Sequence, residues 1–348
     1  MKMPSAIGPE SKNERVHIKV VGIGDGGIQT VNQMIDLGLL GVEYIAMDTS
    51  LQSLNRSRAD KCHLLGSNWI RNYCEDSEWD TMEQTAKEKA KSIYALVKDA
   101  ELLILTAGMG GYVGTSATPT IARIAKDAGI LTIGIVSRPF AFEGLETSRI
   151  AEKGITKLKG YVDFLVTIPY EKLFSSLDKN ASKSEAFFMA DDVHVASIRG
   201  IADIFISPDG LMHLDFADIK YMIESSGEAY VGIGQASGDN SATQAAQAAI
   251  SSPLIEMPFD QAKRVLVNLT CGPSFTSREL YDVEQWIGNA ADQDSEIMVR
   301  DIVDKNLNDT IRVTVFAIGK PFYRTFNDPI SKITDLPPFL QNKNLQDE

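Results

Sequence analysis

The sequence predicts an α/β protein built from a parallel-sheet domain, a long central helix and a smaller mixed α+β domain. Three observations predict this fold. Apolar stretches of strand length alternate with amphipathic helical stretches in the first part of the chain, which is typical of a parallel sheet covered on both faces. A long helical pattern then interrupts the alternation, and the apolar stretches that follow it are longer.

The first domain is assigned from its alternating pattern. Its strands are predicted at Val16–Gly22, Val42–Met47, Leu102–Thr106, Leu131–Val136 and Phe164–Ile168. Its helices are predicted between them at Ile28–Leu37, Met82–Lys98, Ser116–Ala128 and Glu146–Lys159. Because ligands of such sheets bind at the carboxyl ends of the strands, a binding site is expected in the loops that follow them.

The central helix and the second domain follow. Lys183–Ala202 reads as a long helix because Phe188, Val195, Ile198 and Ala202 fall on one face. Strands of the second domain are predicted at Ala229–Gln235, Arg264–Thr270, Glu296–Val303 and Ile311–Ala317. The predicted organisation is a flexible N-terminus at 1–15, the first domain at 16–182, the helix at 183–203, the second domain at 204–319 and a tail at 320–348.

Composition excludes several classes of function. The 348 residues carry a formal net charge of −13, which argues against binding nucleic acid or an anionic membrane surface. No apolar run approaches the roughly 18 residues of a membrane span, so direct membrane insertion is not expected. The cysteines Cys62, Cys74 and Cys271 lack a CxxC spacing, which favours a reducing cytoplasm, and the four scattered histidines give no metal site of certain identity.

A first glycine loop follows the first predicted strand. Gly22, Gly24 and Gly27 match the spacing of a dinucleotide fingerprint, and Asp48 ends the next strand, where a ribose-binding acid would lie. Glycines allow close backbone approach, and the following helix directs its N–H groups at an anion. Alone, this loop is compatible with an NAD-dependent oxidoreductase or with a plain strand-to-helix turn.

A second glycine loop changes this balance. Gly108–Ser116, with four glycines and Thr115, opens another helix after Leu102–Thr106. Two such loops on neighbouring strands suit one extended phosphate chain, whereas a dinucleotide fold needs only the first. The pair therefore favours a nucleotide with several phosphates.

Several segments, in order along the chain, resemble FtsZ of the tubulin family. They are Ile18–Gly27, Gly108–Thr115, Arg138–Gly144, Gly210–Asp218, Ala249–Leu254 and Ile311–Val315. The resemblance runs from about Val16 to Gly319. It implies a GTP-binding protein, with GTP/GDP and Mg²⁺ as cofactors, that polymerises head to tail with itself.

The resemblance also implies the site residues. The carboxylates of Asp215 and Asp218 would act on the nucleotide of a neighbouring subunit by positioning the attacking water; first-turn charges of a helix are the alternative for these acids. The implied nucleotide contacts are Gly24, Asp25, Gly26, Gly27, Gln29, Asp48, Gly108, Gly110, Gly111, Gly114, Thr115, Glu143, Tyr170, Phe187 and Asp192. Among these, Phe187 would stack on the base and Asp192 would read guanine.

The chain departs from the family pattern at several of these positions. Gln29 and Tyr170 replace asparagines, His213 replaces another asparagine, and Thr147 replaces a basic residue for which Arg149 could substitute. Tyrosine can stack on a purine but cannot copy a bidentate amide.

The phosphate site departs from the pattern as well. Asn72–Thr81 holds four acids, Glu75, Asp76, Glu78 and Asp80, where the family has glycines and small residues, and Tyr112 and Val113 replace Gly and Thr in the second loop. Like charges at 4 Å repel by roughly 1 to 4 kcal/mol, depending on the dielectric. The acidic loop would swing away from the phosphates, share a bridging Mg²⁺ with them, or lose the sensing of the γ-phosphate; a solvated charged loop is the alternative. These changes predict a divergent FtsZ-like paralogue with slow or impaired hydrolysis.

The tail carries one further motif. Leu336, Pro337, Phe339 and Leu340 resemble the peptide by which FtsZ docks on membrane-tethering adaptors; an ordinary tail is the alternative. The overall prediction is a cytoplasmic GTPase acting in cell division, at the division site, or in a related cytoskeletal task, with a second FtsZ as a further candidate partner. The alternatives left open are a structural or regulatory homologue that does not hydrolyse GTP and the NAD-dependent oxidoreductase.

Overall fold

The structure is a computed structural model that describes residues 16–39, 41–66, 90–177, 181–206, 216–224, 227–305 and 307–319. Its ten described strands form one continuous sheet in the order β3-β2-β1-β4-β5-β6-β7-β10-β8-β9. They are β1 Ile18–Ile23, β2 Val42–Asp48, β3 Lys61–Leu64, β4 Leu102–Gly108, β5 Leu131–Arg138, β6 Phe164–Pro169, β7 Gly227–Ser237, β8 Arg264–Cys271, β9 Glu296–Val303 and β10 Thr310–Ile318.

The first six strands are all parallel, as the alternating pattern predicts. The described helices of this half are α1 Gly24–Asp36, α2 Leu51–Asn55, α3 Tyr112–Asp127 and α4 Leu145–Lys159, with further helical residues at 90–97. Both faces of the sheet are buried: Val20 and Ile104 lie in one apolar cluster, and their neighbours Val21 and Leu105 lie in the other. The register aligns Ile23 with Ala107, so the carboxyl ends of the strands meet at one edge.

The second half is mixed, which confirms the predicted fold class. Strand β10 is antiparallel to β7 and β8, whereas β8 and β9 are parallel. The helices α6 Phe216–Ile223, α7 Ser241–Ile250 and α8 Ser277–Ala290 belong to this half. Because β6 and β7 pair at Phe164 and Gly227, the sheet runs through the predicted domain boundary without a break. The residue limits of the domains stay a prediction.

The central helix, α5, covers Lys183–Ile206 and extends four residues beyond its predicted end. Its 24 residues span about 36 Å at about 1.5 Å per residue. The Asn268 side chain of β8 donates to the Gly200 carbonyl, which ties the helix to the second half. At its end, Ile206 lies against Gly41, just before β2 starts. The helix therefore runs to the edge of the sheet opposite the carboxyl ends of the parallel strands.

Two local assignments differ from the sequence prediction. Strand β3 was not predicted, because Lys61–Leu64 is a short, largely exposed edge strand without an apolar alternation. Helices α1 and α3 begin four residues earlier than expected, because the last residues of each glycine loop form the first helical turn. Among the described residues, no helix combines the length and apolar character that crossing a membrane requires.

Candidate nucleotide site

The two glycine loops touch each other at the carboxyl edge of the sheet. A Cβ placed on Gly24 would lie 3.1 Å from the Gly114 backbone nitrogen. One placed on Gly26 would lie 3.4 Å from the Gly108 nitrogen. The backbones of the two loops are therefore in direct contact, and the positive φ of Gly24 favours glycine at the tighter contact.

The helices that follow the loops present uncapped N-termini to the joint surface of the two loops. Neither Ile23, the N-cap of α1, nor Gly111, the N-cap of α3, supplies a side-chain cap. The first N–H groups of a helix have no partner within the helix, and together with the dipole they favour an anion. Asp25 and Gly26 of α1 are exposed here. The surface can therefore hold phosphate groups with backbone N–H donors.

Thr115 shapes the second loop. Its side chain is buried, and its hydroxyl accepts from the Gly110 N–H at 2.8 Å and donates to the Gly111 carbonyl at 2.6 Å. Gly110 needs its positive φ of 105° for this turn, and a Cβ there would collide with Thr147. Tyr112, the first residue of α3, is half exposed. Direct nucleotide contacts by Thr115 and by the loop glycines stay predictions.

Asp48 lies at the same edge but faces inward. It is 3% exposed, and its Oδ1 accepts from the Ser50 N–H at 2.8 Å. Burial raises the pKa of this carboxyl, and the negative charge of Asp25 adds to the effect. Within the described ranges, three or more His, Cys, Asp or Glu side chains nowhere form a group that could hold a metal ion.

The end of the site where the resemblance implies the base is built from aromatic side chains. Phe187, on the second turn of α5, has its ring centroid 5.2 Å from that of Phe140 and 5.9 Å from that of Phe142. Phe187 is 37% exposed, so part of its ring is accessible to a ligand. Asp192 is exposed further along the same helix, and Gln29 is exposed on α1.

Two further charged groups near the aromatic side chains are partly engaged. Glu143 Oε1 accepts from the Phe140 N–H at 2.8 Å, which fixes the carboxylate of this exposed residue. Arg149, considered as a substitute for a basic contact, donates twice to Glu146 at 3.1 Å. Its guanidinium is therefore already paired.

The comparisons with known proteins agree with this geometry. Residues 17–178 match the GTPase domain of the Tubulin/FtsZ family, and residues 227–320 match the FtsZ family C-terminal domain. An FtsZ of M. jannaschii, solved as an empty dimer, is 32% identical, with 88% of this chain and 89% of that chain covered and a TM-score of 0.81. The chain belongs to the tubulin/FtsZ family. It is an FtsZ-like protein.

Other solved structures support the same fold. A mutant FtsZ of M. jannaschii is 33% identical, covers 88% of this chain and 92% of its own, and has a TM-score of 0.81. CetZ1 of Haloferax volcanii, a GDP-bound monomer, and CetZ2, a GTPγS-bound protofilament, have TM-scores of 0.71 and 0.70. Both are 15% identical and cover at least 87% of this chain and 93% of their own, so they share the fold with this FtsZ-like chain.

Tyr170, which the resemblance assigns to the nucleotide, is largely buried. The side chain is 8% exposed, its ring packs 5.3 Å from Phe140, and its hydroxyl faces His194 Nδ1 at 3.2 Å. Its contact with a nucleotide stays a prediction. His194 was missed by sequence reasoning, because a single histidine in an apolar helix carries no recognisable pattern.

The predicted catalytic acids lie apart from the glycine loops. Asp218 is exposed in the first turn of α6, a few residues before β7. The first residue of β7, Gly227, pairs with the first residue of β6, Phe164. This is the edge of the sheet opposite the glycine loops. Asp215, the acidic stretch Asn72–Thr81 and the tail residues Leu336–Leu340 lie outside the described residues.

Proposed function

We propose that this FtsZ-like protein binds GTP at the paired glycine loops, assembles head to tail and hydrolyses GTP at the interface between subunits. The observation that carries the proposal is the placement of two groups at opposite edges of one subunit. The glycine loops lie at the carboxyl ends of β1 and β4, and Asp218 lies beyond the far end of α5.

The length of α5 sets the separation. Phe187 lies near the start of this 24-residue helix, and Ile206 ends it at the other edge, about 36 Å from the first residue. A carboxylate must come within hydrogen-bond reach, directly or through one water, of the group it activates. Asp218 therefore cannot serve the loops of its own subunit, whereas stacking two subunits in the same orientation would bring it to the loops of the next.

The nucleotide fits the site in a defined direction. The phosphates would lie on the backbone N–H groups at the starts of α1 and α3, and the base would lie against Phe187 with its edge toward Asp192. A carboxylate can accept from both N1–H and the exocyclic amine of guanine, a pair of donors that adenine does not present. Mg²⁺, the proposed cofactor, would neutralise charge on the phosphates during hydrolysis.

A filament former without hydrolysis is the second candidate. Tyr112 places a half-exposed aromatic side chain at the first position of α3, on the rim of the phosphate surface. There it would compete with a terminal phosphate for the helix N-terminus. The nicotinamide alternative rests on the first loop and leaves the match to the FtsZ C-terminal domain at 227–320 without explanation.

The proposal extends to the role of the protein in the cell. The protein would act in division or a related cytoskeletal task in the cytoplasm, with copies of itself as its main partner. The peptide Leu336–Leu340 would connect it to a membrane-tethering adaptor, and a second FtsZ could enter the same filament.

A mixing experiment tests the shared active site. The Asp218→Ala variant keeps its glycine loops, and the Gly24→Ala variant keeps Asp218. Each alone is expected to release little phosphate from GTP, whereas a mixture of the two should regain turnover, because some interfaces combine intact loops with an intact Asp218. Wild-type protein with turnover and a mixture without any would contradict hydrolysis between subunits.

A further inference from the structure

One side chain that the proposed function does not use lies directly beneath the site. His194 of α5 is 1% exposed, and its Nε2 lies 3.0 Å from the Ile135 carbonyl oxygen and 2.9 Å from Thr106 Oγ1. Its Nδ1 lies 3.2 Å from the Tyr170 hydroxyl. The imidazole thus contacts β4, β5 and the turn after β6 at once.

The partners determine the protonation state. A carbonyl oxygen can only accept, so Nε2 carries the proton and donates to Ile135. Nδ1 is then an acceptor, to which the Tyr170 hydroxyl donates a hydrogen bond, while the Ser137 hydroxyl also bonds to the phenol oxygen. Burial lowers the pKa of His194 to about 4, which keeps the ring neutral near pH 7. Each polar atom of the imidazole is satisfied by a different element.

The partners of His194 adjoin both ends of the nucleotide site. On the phosphate side, the Thr106 carbonyl oxygen would lie 2.5 Å from a Cβ on Gly27, so β4 and the first loop are in direct contact here. On the base side, Tyr170 packs against Phe140, whose ring in turn touches Phe187. His194 therefore connects the phosphate loops, through Thr106, with the aromatic side chains Phe140 and Phe187, through Tyr170.

We propose that His194 is a positioning residue that holds α5, with Phe187 and Asp192, in a fixed position relative to the phosphate loops. Asp192 precedes His194 by two residues on the same helix, so a shift of the imidazole displaces the base-reading carboxylate. Tyr170 completes the network as the partner of Nδ1. The inference rests on the proposed function, because it concerns the same nucleotide site.

A positioning role can be separated from a purely structural one by pairing two substitutions. His194→Leu removes three contacts and leaves the buried Tyr170 hydroxyl without its acceptor, which lowers the free energy of unfolding. In the double variant Tyr170→Phe/His194→Leu the two partners of the Nδ1 contact are both apolar, so no tyrosine hydroxyl is left without an acceptor. Thr106 and Ile135 still lose their contact with Nε2. The double variant therefore regains part of the lost stability without restoring the network.

The test measures GDP affinity and resistance to urea for the full chain and its variants. We expect His194→Leu and the double variant both to bind GDP about tenfold more weakly than wild type. A change of this size is expected when the hydrogen bonds that hold the binding residues in position are lost. The double variant should nevertheless recover part of the lost urea resistance. Asn268→Leu, which removes the bond to Gly200 further along α5, is the matched control and should lose stability while keeping its GDP affinity.

Four results would overturn the inference. GDP affinity that recovers together with stability in the double variant would show that His194 acts on folding alone. An affinity loss in Asn268→Leu as large as in His194→Leu would show the same. Wild-type protein that binds no guanine nucleotide would overturn the proposed function as well, whereas wild-type binding with unchanged affinity in the His194 variants would overturn only this inference.

Discussion

Comparing Gly24→Ala with Gly129→Ala should separate two effects of a new side chain: the loss of stability from backbone strain and the loss of GDP affinity from moving the phosphate loops. Gly24 has a φ of 72°, in the left-handed region, and a Cβ would approach the Gly114 nitrogen to 3.1 Å. Gly129, at the end of α3, has the same φ of 72°, and a Cβ there would have no neighbour within 4 Å. The two glycines share the strain and differ in the contact, so Gly129→Ala is the matched control.

The magnitudes follow from this comparison. An alanine in the left-handed region costs about 1–2 kcal/mol, offset by about 0.5 kcal/mol because alanine restricts the unfolded chain. Gly129→Ala should therefore lose about 1 kcal/mol in free energy of unfolding, and Gly24→Ala should lose at least as much, because its Cβ also meets the Gly114 backbone. Gly24→Ala must also push Gly114 away by a few tenths of an ångström, which opens the joint surface of the two loops. We expect GDP affinity to fall at least tenfold, or about 1.4 kcal/mol, in this variant only.

The assay combines urea unfolding followed by circular dichroism, without nucleotide, with equilibrium binding of a fluorescent GDP. A loss of stability in both variants with a loss of GDP affinity in Gly24→Ala alone would support the paired loops as the phosphate site. Equal affinity in Gly24→Ala and Gly129→Ala, whether both reduced or both unchanged, would refute the reasoning.

Three further predictions concern the acids. Asp218→Ala should abolish phosphate release while filaments still form, because the variant removes only the carboxylate that acts on the neighbouring subunit's GTP. Unchanged release, measured with a phosphate sensor, would contradict the role of Asp218 in hydrolysis. Asp192→Asn should weaken GTP binding about 10- to 100-fold, the value of charge-assisted hydrogen bonds, and narrow the preference for GTP over ATP in competition titrations; an unchanged preference would place the base elsewhere. Asp191 has its pKa raised to about 6, first by burial and then by the charge of Asp192. The folded state therefore holds this proton to higher pH than the unfolded state, so the contribution of this group to the free energy of unfolding falls as pH rises from about 4 to 6. Above pH 6, Asp191→Asn should be more stable than wild type by about 1 kcal/mol, after allowance for partial exposure. Parallel pH profiles of urea unfolding for the two proteins would contradict this.

Most of the fold could be predicted from the sequence because its elements bury apolar faces. Strand β4 was located at its first residue, because an uninterrupted apolar run in an alternating pattern leaves few alternatives. Strand β3 was missed because its side chains are largely exposed and only backbone pairing with β2 defines it. The continuity of the sheet from β6 to β7 also depends on long-range pairing, which no local pattern encodes.

The site could be predicted only in part for a related reason. The glycine loops carry a local signal, since positive φ values and close backbone contacts exclude side chains at Gly24 and Gly110. The position of the Tyr170 side chain depends on His194, which is 24 residues away and becomes its neighbour only in the folded protein. The resemblance assigns Tyr170 to the nucleotide, but only the folded structure shows its buried hydrogen bond to His194.

The most direct test of the account is phosphate release from wild-type protein with GTP and Mg²⁺ over a series of protein concentrations, with light scattering recorded in parallel. The account predicts that release per subunit rises steeply above a critical concentration and that scattering rises at the same concentration, because Asp218 and the glycine loops meet only between subunits. Release per subunit that is independent of concentration would contradict an active site shared between subunits.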